Sequence, residues 1–192
     1  MNYDVIIVGA GPGGIYSAYE LMKKCSDKKI AVFDSGYSLK KRHCPIDGEK
    51  VKACIKCKSC SIMSGFGGAG AFSDGKYNIT NDFGGTLYEY IGKKAATELM
   101  QYVDEINMNH GGEGTKMYST AGTNLKKVCL QNRLKLLNAS VRHLGTDINL
   151  VVLGRLYDEL KEHVDFYFES PVSHIECLEN GGYRVWSNDK SY

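Results

Sequence analysis

The sequence predicts an α/β protein whose core is a parallel β-sheet with crossover helices, and two features near its start support this prediction. Residues 3–8 have the sequence YDVIIV, an apolar run that does not alternate with polar residues. Such a run is typical of a strand buried on both faces of a parallel sheet. A glycine-rich turn follows directly, and beyond it Ala18, Met22 and Cys25 recur at helical spacing. Together these segments predict the beginning of a β-α-β unit.

The composition is that of an ordinary globular domain. The 192 residues include 24 basic and 22 acidic side chains, a net charge of +2, and 43% apolar residues. This argues against a disordered chain and against a nucleic-acid-binding protein. The longest aliphatic stretches, residues 5–8 and 150–153, fall far short of the roughly 20 residues of a membrane span, and Asp4 stands where a signal peptide needs basic residues. We therefore expect a cytoplasmic protein with neither a membrane nor a nucleic acid as partner.

The glycine-rich turn matches the pattern of a dinucleotide-binding loop. Residues 9–14, GAGPGG, fit G-x-G-x-x-G through Gly9, Gly11 and Gly14. In that pattern one glycine makes the tight turn, one lets the backbone approach a pyrophosphate, and one lets the helix pack closely on the strand. The phosphates then lie at the helix N-terminus, where free N–H groups and the helix dipole favour negative charge. The order of strand, glycine turn and helix thus predicts a Rossmann-like nucleotide-binding fold.

A second buried strand, Ile30–Phe33, ends in an acidic residue at the expected distance. Asp34 lies 20 residues beyond Gly14, where a carboxylate that binds the ribose belongs. FAD and NAD share the ADP half of the molecule, so this fingerprint alone leaves both cofactors open.

The N-terminal sequence DVIIVGAGPGGIYSAYEL, with FDSG at the end of the second strand, resembles the FAD-binding flavoproteins of the two-dinucleotide-fold type. The resemblance favours FAD as the bound cofactor, with NAD(P)H as an electron donor. It implies that Asp34 binds the adenosine ribose and that the following turn, Ser35-Gly36, leads toward the flavin and belongs to the cofactor site. The residues that it implies for pyrophosphate binding are Gly9, Gly11, Gly13 and Gly14, and Pro12 is a further cofactor-binding candidate.

Four cysteines occur in and next to a basic segment. Between Lys40 and Lys58 there are seven basic and two acidic side chains, a local charge of +5. Two-residue gaps between cysteines let successive thiolates converge on one metal, but a ferredoxin signature is incomplete because the fourth cysteine precedes the other three. Four interpretations stay open: an iron–sulfur cluster, a zinc ion, redox-active thiols, and thiols without a ligand. The candidate metal ligands are Cys44, Cys54, Cys57 and Cys60.

A second glycine-rich loop follows the cysteines. Four of the six residues 65–70 are glycine, and neighbouring Phe66 and Phe72 make the segment too apolar for a plain linker. The run from RHCPI through CxxCxxC to GFGGAGAFSDGK resembles a narrower group, the FAD-dependent dehydrogenases described as NAD(FAD)-utilising. RHLGTD, at residues 142–147, also resembles a segment of that group.

These resemblances imply further cofactor contacts. The loop over residues 67–76 is expected to lie against the flavin or its pyrophosphate, with Lys76 near negative charge. A valine after the third strand offers its backbone to the adenine in the resembling flavoproteins, and Val172 is the matching position. The other residues implied for cofactor binding are Arg42, Gly67, Gly68, Ala69, Gly70, Ser73 and Asp74.

The rest of the chain predicts a helical insertion followed by a return to the sheet. Apolar spacing predicts helices over residues 87–107, 130–141 and 152–164. Residues 166–168 are expected as the third strand of the sheet, and a hairpin is expected around Asn180-Gly181. We therefore divide the chain into residues 1–85 and 165–192, which form the nucleotide-binding domain, and a helical insertion at residues 86–164.

These observations predict an FAD-dependent oxidoreductase with a small-molecule substrate. His143 and Lys76 are the catalytic candidates, and Arg142 and Asp147 are expected to orient His143. Two alternatives stay open: a non-catalytic nucleotide-binding module, and an electron-transfer protein whose cysteines hold an iron–sulfur cluster or zinc. Because no strand follows Trp186 to complete the sheet, we expect a fragment that needs a C-terminal half or a partner chain.

Overall fold

The structure is a computed structural model that describes residues 2–179 and 181–192. It has two compact units. The first comprises the chain up to Phe72 together with Leu153–Tyr192, and the second comprises Ser73–Val152. The second unit therefore starts and ends earlier in the chain than the insertion predicted at residues 86–164.

The described residues form nine strands and five α-helices. In chain order the strands are β1 (Val5–Val8), β2 (Ile30–Phe33), β3 (Lys76–Ile79), β4 (Met117–Ser119), β5 (Ser140–His143), β6 (Val164–Tyr167), β7 (Val172–Cys177), β8 (Tyr183–Ser187) and β9 (Lys190–Ser191). The α-helices are α1 (Pro12–Lys24), α2 (Leu87–Ile91), α3 (Lys93–Asn107), α4 (Leu125–Gln131) and α5 (Gly145–Leu160).

A three-stranded parallel sheet forms the centre of the first unit, in the order β1-β2-β6. β2 is the central strand, and all four of its side chains are buried, which fits its uniformly apolar sequence. β6 pairs with β2 from Ile30↔Val164 to Phe33↔Tyr167. The predicted α/β class and parallel sheet are confirmed, and the third strand lies slightly earlier than the predicted residues 166–168.

Helix α1 connects β1 to β2 and packs on both strands. Ile15, Ala18 and Met22 recur at helical spacing and are buried, as is Tyr19 between them. The helix begins at Pro12, whose fixed φ and missing N–H suit the first helical position. The predicted β-α-β unit is therefore confirmed.

The C-terminal part of the first unit is an antiparallel sheet with the order β7-β8-β9. The predicted hairpin is confirmed, with β7 and β8 paired from Val172↔Ser187 to Cys177↔Tyr183. Asn180, in its predicted turn, lies outside the described residues. The ring of Tyr192 lies 4.8 Å from that of Phe33 and 5.3 Å from that of Tyr167, so the end of the chain packs on the parallel sheet.

The second unit contains an antiparallel sheet that the sequence analysis missed. β3 and β4 both pair with β5, in the order β3-β5-β4. The helix predicted over residues 130–141 is wrong, because α4 ends at Gln131 and residues 140–143 form β5. Leu130, Leu134 and Leu137 of the predicted apolar stripe are exposed, so no burial stabilises a helix over this segment.

The helix predicted over residues 87–107 forms as two helices. Gly92 separates α2 from α3 with a φ of +82°, a left-handed conformation that glycine adopts readily. A π-type turn, Met108–Gly112, follows α3, and in it the buried His110 has its Nδ1 2.6 Å from the carbonyl oxygen of Ile106. In the described ranges, no helix is both long enough and apolar enough to cross a membrane.

A bidentate ion pair joins β5 to α3 inside the second unit. Arg142 donates from Nε and Nη2 to the two carboxylate oxygens of Asp104, at 2.6 and 2.8 Å. Its Nη1 donates to the carbonyl oxygen of Thr115 at 2.6 Å, so the same guanidinium also binds the segment before β4. The two charged side chains are only 13% and 10% exposed, so the pair is a structural contact rather than a solvated surface pair.

Candidate nucleotide-binding site

The N-terminus of α1 is open. Its N-cap, Gly11, makes no side-chain capping bond, and no acidic side chain lies in the first turn. The N–H of Ile15 donates to Gly11 at 3.0 Å, so the helical ladder begins there and the preceding N–H groups have no intrahelical acceptor. A Cβ added to Gly11 or Gly13 would meet no atom within 4 Å. The backbone therefore presents donors to open space, as binding of a phosphate requires.

Gly14 has a different role in the same turn. A Cβ at Gly14 would lie 1.9 Å from the carbonyl oxygen of Gly9 and 3.3 Å from Cγ2 of Ile7. Gly9 has a φ of +104°, and its N–H donates to the carbonyl oxygen of Phe33 at 2.7 Å. The start of α1 thus packs directly on the end of β1, which only a residue without a side chain allows.

Asp34 lies at the carboxyl end of β2, beside the glycine turn. Its Oδ2 accepts a hydrogen bond from the N–H of Ala10 and its Oδ1 accepts one from the N–H of Gly36, both at 2.7 Å. An ionised carboxylate has about four acceptor positions, so each oxygen keeps capacity for a hydroxyl group. This arrangement fits a ribose, and the contact itself stays a prediction.

The second glycine loop passes beside the first. The N–H of Gly67 donates to the carbonyl oxygen of Ala10 at 2.8 Å, and a Cβ on Gly68 would lie 3.2 Å from Cα of Gly11. A Cβ on Gly70 would lie 3.9 Å from Pro12. Two glycine segments that are distant in sequence therefore meet in the first unit. Ala69, which lies between Gly68 and Gly70 in the sequence, is exposed.

Aromatic packing holds this second loop in place. Phe66 is fully buried, and its ring lies 5.0 Å from that of Tyr157 on α5 and 5.7 Å from that of Phe166 on β6. A Cβ on Gly67 would lie 2.8 Å from Cδ1 of Leu153, so α5 packs closely on the loop. Burial of a large side chain thus fixes the backbone next to the glycine turn.

Arg42 supports the same loop from the other side. Its Nε, Nη1 and Nη2 donate to the carbonyl oxygens of Ser61, Phe66 and Ile62 at 2.8, 2.6 and 2.7 Å. Burial lowers the pKa of Arg42, and the negative charge of Asp34 opposes that effect. Arg42 is therefore a positioning residue for the loop, and its predicted contact with a cofactor stays a prediction.

The segment between β6 and β7 lies beside Asp34. The N–H of Ser170 donates to the carbonyl oxygen of Asp34 at 2.9 Å, and that of Glu169 donates to Gly36 at 2.8 Å. Val172 begins β7 two residues after Ser170 and is half-buried, whereas Ser35 is exposed. The structure thus brings the glycine turn, the Asp34 turn and the Val172 segment to one end of the parallel sheet.

Ala10 is a site residue that the sequence analysis missed. It is fully buried, its N–H binds the Asp34 carboxylate, and its carbonyl oxygen accepts from Gly67. It therefore connects the three parts of the candidate site. The only sequence signal for Ala10 is its position inside the glycine motif. Its contacts are made by backbone groups, and the identity of the side chain does not reveal them.

The other residues predicted for cofactor binding or catalysis, Ser73, Asp74, Lys76 and His143, lie in the second unit. Lys76 is paired opposite His143 across β3 and β5, and its Nζ lies 2.5 Å from Oδ2 of Asp74. Lys76, with a smaller contribution from His143, lowers the pKa of Asp74. The structure thus makes neighbours of the two catalytic candidates. The expectation that Arg142 orients His143 is wrong, because the guanidinium of Arg142 binds the Asp104 carboxylate.

Two hydrogen bonds hold the SDGK and RHLGTD segments together in this unit. The hydroxyl of Thr146 donates to the carbonyl oxygen of Ser73 at 3.0 Å, and the N–H of Leu144 donates to Gly75 at 2.9 Å. Ser73 itself is exposed, as are Asp74 and Asp147. The SDGK and RHLGTD segments, which were identified separately in the sequence, are therefore neighbours in the second unit.

The candidate metal ligands Cys44, Cys54, Cys57 and Cys60 do not form a metal-binding group in the part of the chain that the structure describes. All of the candidate cysteines are free thiols, with Cys44 half-buried and Cys54, Cys57 and Cys60 exposed. Across residues 2–179 and 181–192, no three His, Cys, Asp or Glu side chains are grouped so that they could hold a metal ion. The arrangement supports neither an iron–sulfur cluster nor a zinc site.

A cleft of about 680 Å³ lies elsewhere in the first unit, between β1 and the β7–β8 hairpin. Ile6 and Val8 of β1 line one side of it, and Ile175 and Val185 of the hairpin line the other. None of its lining residues was predicted to bind a cofactor. The cleft is therefore distinct from the candidate nucleotide-binding site.

Comparisons with known proteins agree with the observed architecture. No protein-family model and no curated protein matches the chain. Among solved structures, 98% of the chain matches 43% of 3-ketosteroid-delta4-(5alpha)-dehydrogenase from Rhodococcus jostii, at a TM-score of 0.54 and 12% identity. For glycine oxidase from Geobacillus kaustophilus, 99% of the chain matches 52% of that protein, at a TM-score of 0.50 and 16% identity.

A third match is L-alpha-glycerophosphate oxidase from Mycoplasma pneumoniae, whose structure has FAD bound. Here 99% of the chain matches 51% of that protein at 15% identity, and the TM-score of 0.46 is too low to support a conclusion. The chain spans about half the length of these proteins. Their similarity, carried by the first two structures, shows that the chain shares its fold with parts of larger oxidoreductases.

Proposed function

We propose that the chain is the FAD-binding part of an FAD-dependent oxidoreductase. One observation carries the proposal: the open N-terminus of α1, the Asp34 carboxylate and the Gly67–Gly68 backbone lie together in the first unit. A helix N-terminus fits a pyrophosphate, and a carboxylate at the end of the second strand fits a ribose. The fold shared with an oxidase and a dehydrogenase supports an oxidoreductase.

In this proposal the chain's own groups bind and orient the cofactor. The N–H groups of Gly13 and Gly14 hold the pyrophosphate, and each oxygen of Asp34 accepts a ribose hydroxyl in addition to its backbone bond. Ala10 couples the two contacts, because its N–H positions the Asp34 carboxylate while its carbonyl oxygen positions Gly67. The flavin, when bound, supplies the hydride or electron transfer.

The choice of FAD over NAD rests on the resemblance of the sequence rather than on the glycine turn, which fits the ADP half of either molecule.

Isothermal titration of the protein with FAD, ADP and NAD distinguishes the two candidate cofactors by their affinities. We expect FAD and ADP to compete for one site and FAD to bind more tightly than NAD. If NAD bound more tightly than FAD, NAD would become the proposed cofactor. If none of the three nucleotides bound, the proposal would be overturned.

A glycine substitution tests the site itself. In Gly13→Ala the new methyl group enters the open space where the phosphates are expected, so FAD affinity falls about tenfold, equivalent to about 1.4 kcal/mol. Gly154→Ala is the matched control, since Gly154 is also helical and its added Cβ meets no atom within 4 Å. Equal affinities of the two variants for FAD would contradict the proposed phosphate position.

A further inference from the structure

Three exposed cysteines share one loop of the first unit and have no role in the proposed nucleotide site. Cys54, Cys57 and Cys60 are separated by two residues each and are all free thiols. Two intervening residues are the spacing of redox-active cysteine pairs, which can close a disulfide when the Cα atoms come within about 4.4–6.8 Å.

The sulfur of Cys54 accepts a backbone hydrogen bond, and Cys54 belongs to a lysine-rich stretch of the sequence. The backbone N–H of Lys56 donates to Cys54 Sγ at 3.5 Å. Lys52, Lys56 and Lys58 are exposed and lie in the same short segment. Positive charge and an N–H donor beside a sulfur stabilise the negative charge that an attacking thiolate carries.

The segment between Cys54 and Cys57 contains one unusual backbone conformation. Lys56 has a φ of +53°, a left-handed conformation that is uncommon for a residue with a side chain. Residues 51–57 form neither helix nor strand, so they can adjust to a disulfide without breaking a sheet or a helix.

Cys60, by contrast, is anchored. Its carbonyl oxygen accepts from the N–H groups of Met63 and Ser64 at 3.1 and 2.8 Å. The next two carbonyl oxygens, of Ser61 and Ile62, are held by Arg42. The pair with freedom to move together is therefore Cys54 and Cys57.

We propose that Cys54 and Cys57 form a thiol–disulfide exchange site that reacts with low-molecular-weight disulfides. The Cys54 thiolate attacks one sulfur of such a disulfide, and one thiol leaves as the mixed disulfide forms. Cys57 then attacks Sγ of Cys54, forms the intramolecular disulfide and releases the second thiol. Two cysteine thiols are oxidised by two electrons, the small disulfide is reduced to two thiols, and the cysteine protons pass to the released thiols.

The proposal is tested with the whole chain and oxidised glutathione as the probe, under anaerobic conditions. Mass mapping of alkylated peptides is expected to find a Cys54–Cys57 disulfide. In Cys57→Ser the second step is blocked, so a mixed disulfide with one glutathione accumulates on Cys54. Cys60→Ser is the matched variant in the same loop and still forms the Cys54–Cys57 disulfide. No accumulation in Cys57→Ser, or a disulfide that requires Cys60, would overturn the proposal.

Cys177 supplies an internal control. It is also exposed, but its neighbours in sequence are the acidic Glu176 and Glu179 rather than lysines. We expect Cys54 to react with a thiol-alkylating reagent about tenfold faster than Cys177. Equal rates would argue against the proposed site. Stoichiometric zinc or iron in the purified protein, released by thiol modification, would overturn it in favour of a metal site.

Discussion

Gly13 and Gly14 are adjacent residues of one motif, yet the structure surrounds them differently. An added Cβ at Gly13 meets no atom within 4 Å, whereas one at Gly14 lies 1.9 Å from the carbonyl oxygen of Gly9. The first glycine therefore leaves room for a ligand, and the second lets the helix pack on the strand. An added side chain is therefore expected to affect ligand binding at Gly13 and the stability of the fold at Gly14.

Gly14→Ala is accordingly expected to destabilise the fold. The new methyl group overlaps a backbone oxygen, so α1 must move away from β1, at a cost of about 1–3 kcal/mol. The midpoint of urea unfolding, followed by circular dichroism, measures the loss. Gly13→Ala serves as the control and is expected to unfold at or slightly above the wild-type midpoint, because alanine favours a helix. An unchanged midpoint for Gly14→Ala would contradict the close packing of α1 on β1.

At the scale of elements, one largely buried ion pair joins several parts of the second unit. Arg142 on β5 reaches Asp104 on α3 through two hydrogen bonds and also binds the carbonyl oxygen of Thr115. A strand, a helix and a loop are therefore joined by one guanidinium. Because the pair is largely removed from water, loss of one partner leaves a poorly solvated charge.

Asp104→Asn is expected to destabilise the protein by about 3 kcal/mol, since the buried guanidinium then lacks its counter-charge. Urea unfolding measures the effect. The control is Glu176→Gln, which removes the partner of Arg184 in a pair that is 45% exposed on both sides, and about 0.5 kcal/mol is expected there because water screens the pair. Similar losses for the two variants would show that burial of the Arg142 pair adds nothing to stability.

At the scale of the whole molecule, the candidate nucleotide site lies within one of the two units. Every residue of the glycine turn, of the Asp34 turn and of the Gly67–Gly68 segment belongs to the first unit. Lys76 and His143 belong to the second unit. We therefore expect nucleotide binding to stabilise mainly the first unit, which contains the parallel sheet.

ADP is expected to slow amide hydrogen exchange at the start of α1 and around Asp34, because a ligand that binds only the folded state stabilises what it contacts. Exchange in α3 and β4 of the second unit serves as the internal reference and is expected to stay unchanged. Hydrogen exchange followed by mass spectrometry, with and without saturating ADP, makes the comparison. Protection confined to the second unit would place the site elsewhere.

Much of the first unit was predictable because its signals are local. β2 occupies the predicted residues, since a strand between two parallel neighbours must be apolar at every position. The turn at residues 9–14 and Asp34 follow from a spacing that a β-α-β unit imposes on the chain. The resemblance implied only that residues 67–76 lie against the cofactor, and the approach of Gly67 to Ala10 was not predicted, because no local pattern specifies which two loops meet.

The second unit shows why local patterns fail elsewhere. Leucines at helical spacing after Gln131 predicted a helix, but they stay exposed, and without burial such spacing does not stabilise one. The sequence by itself determined the parallel sheet, the glycine turn and the acidic residue after β2. Only the tertiary structure decided the antiparallel sheet and the Arg142–Asp104 pair. Strand pairing and ion pairing join residues that are distant in the sequence, and the sequence around one residue does not specify which distant residue it will contact.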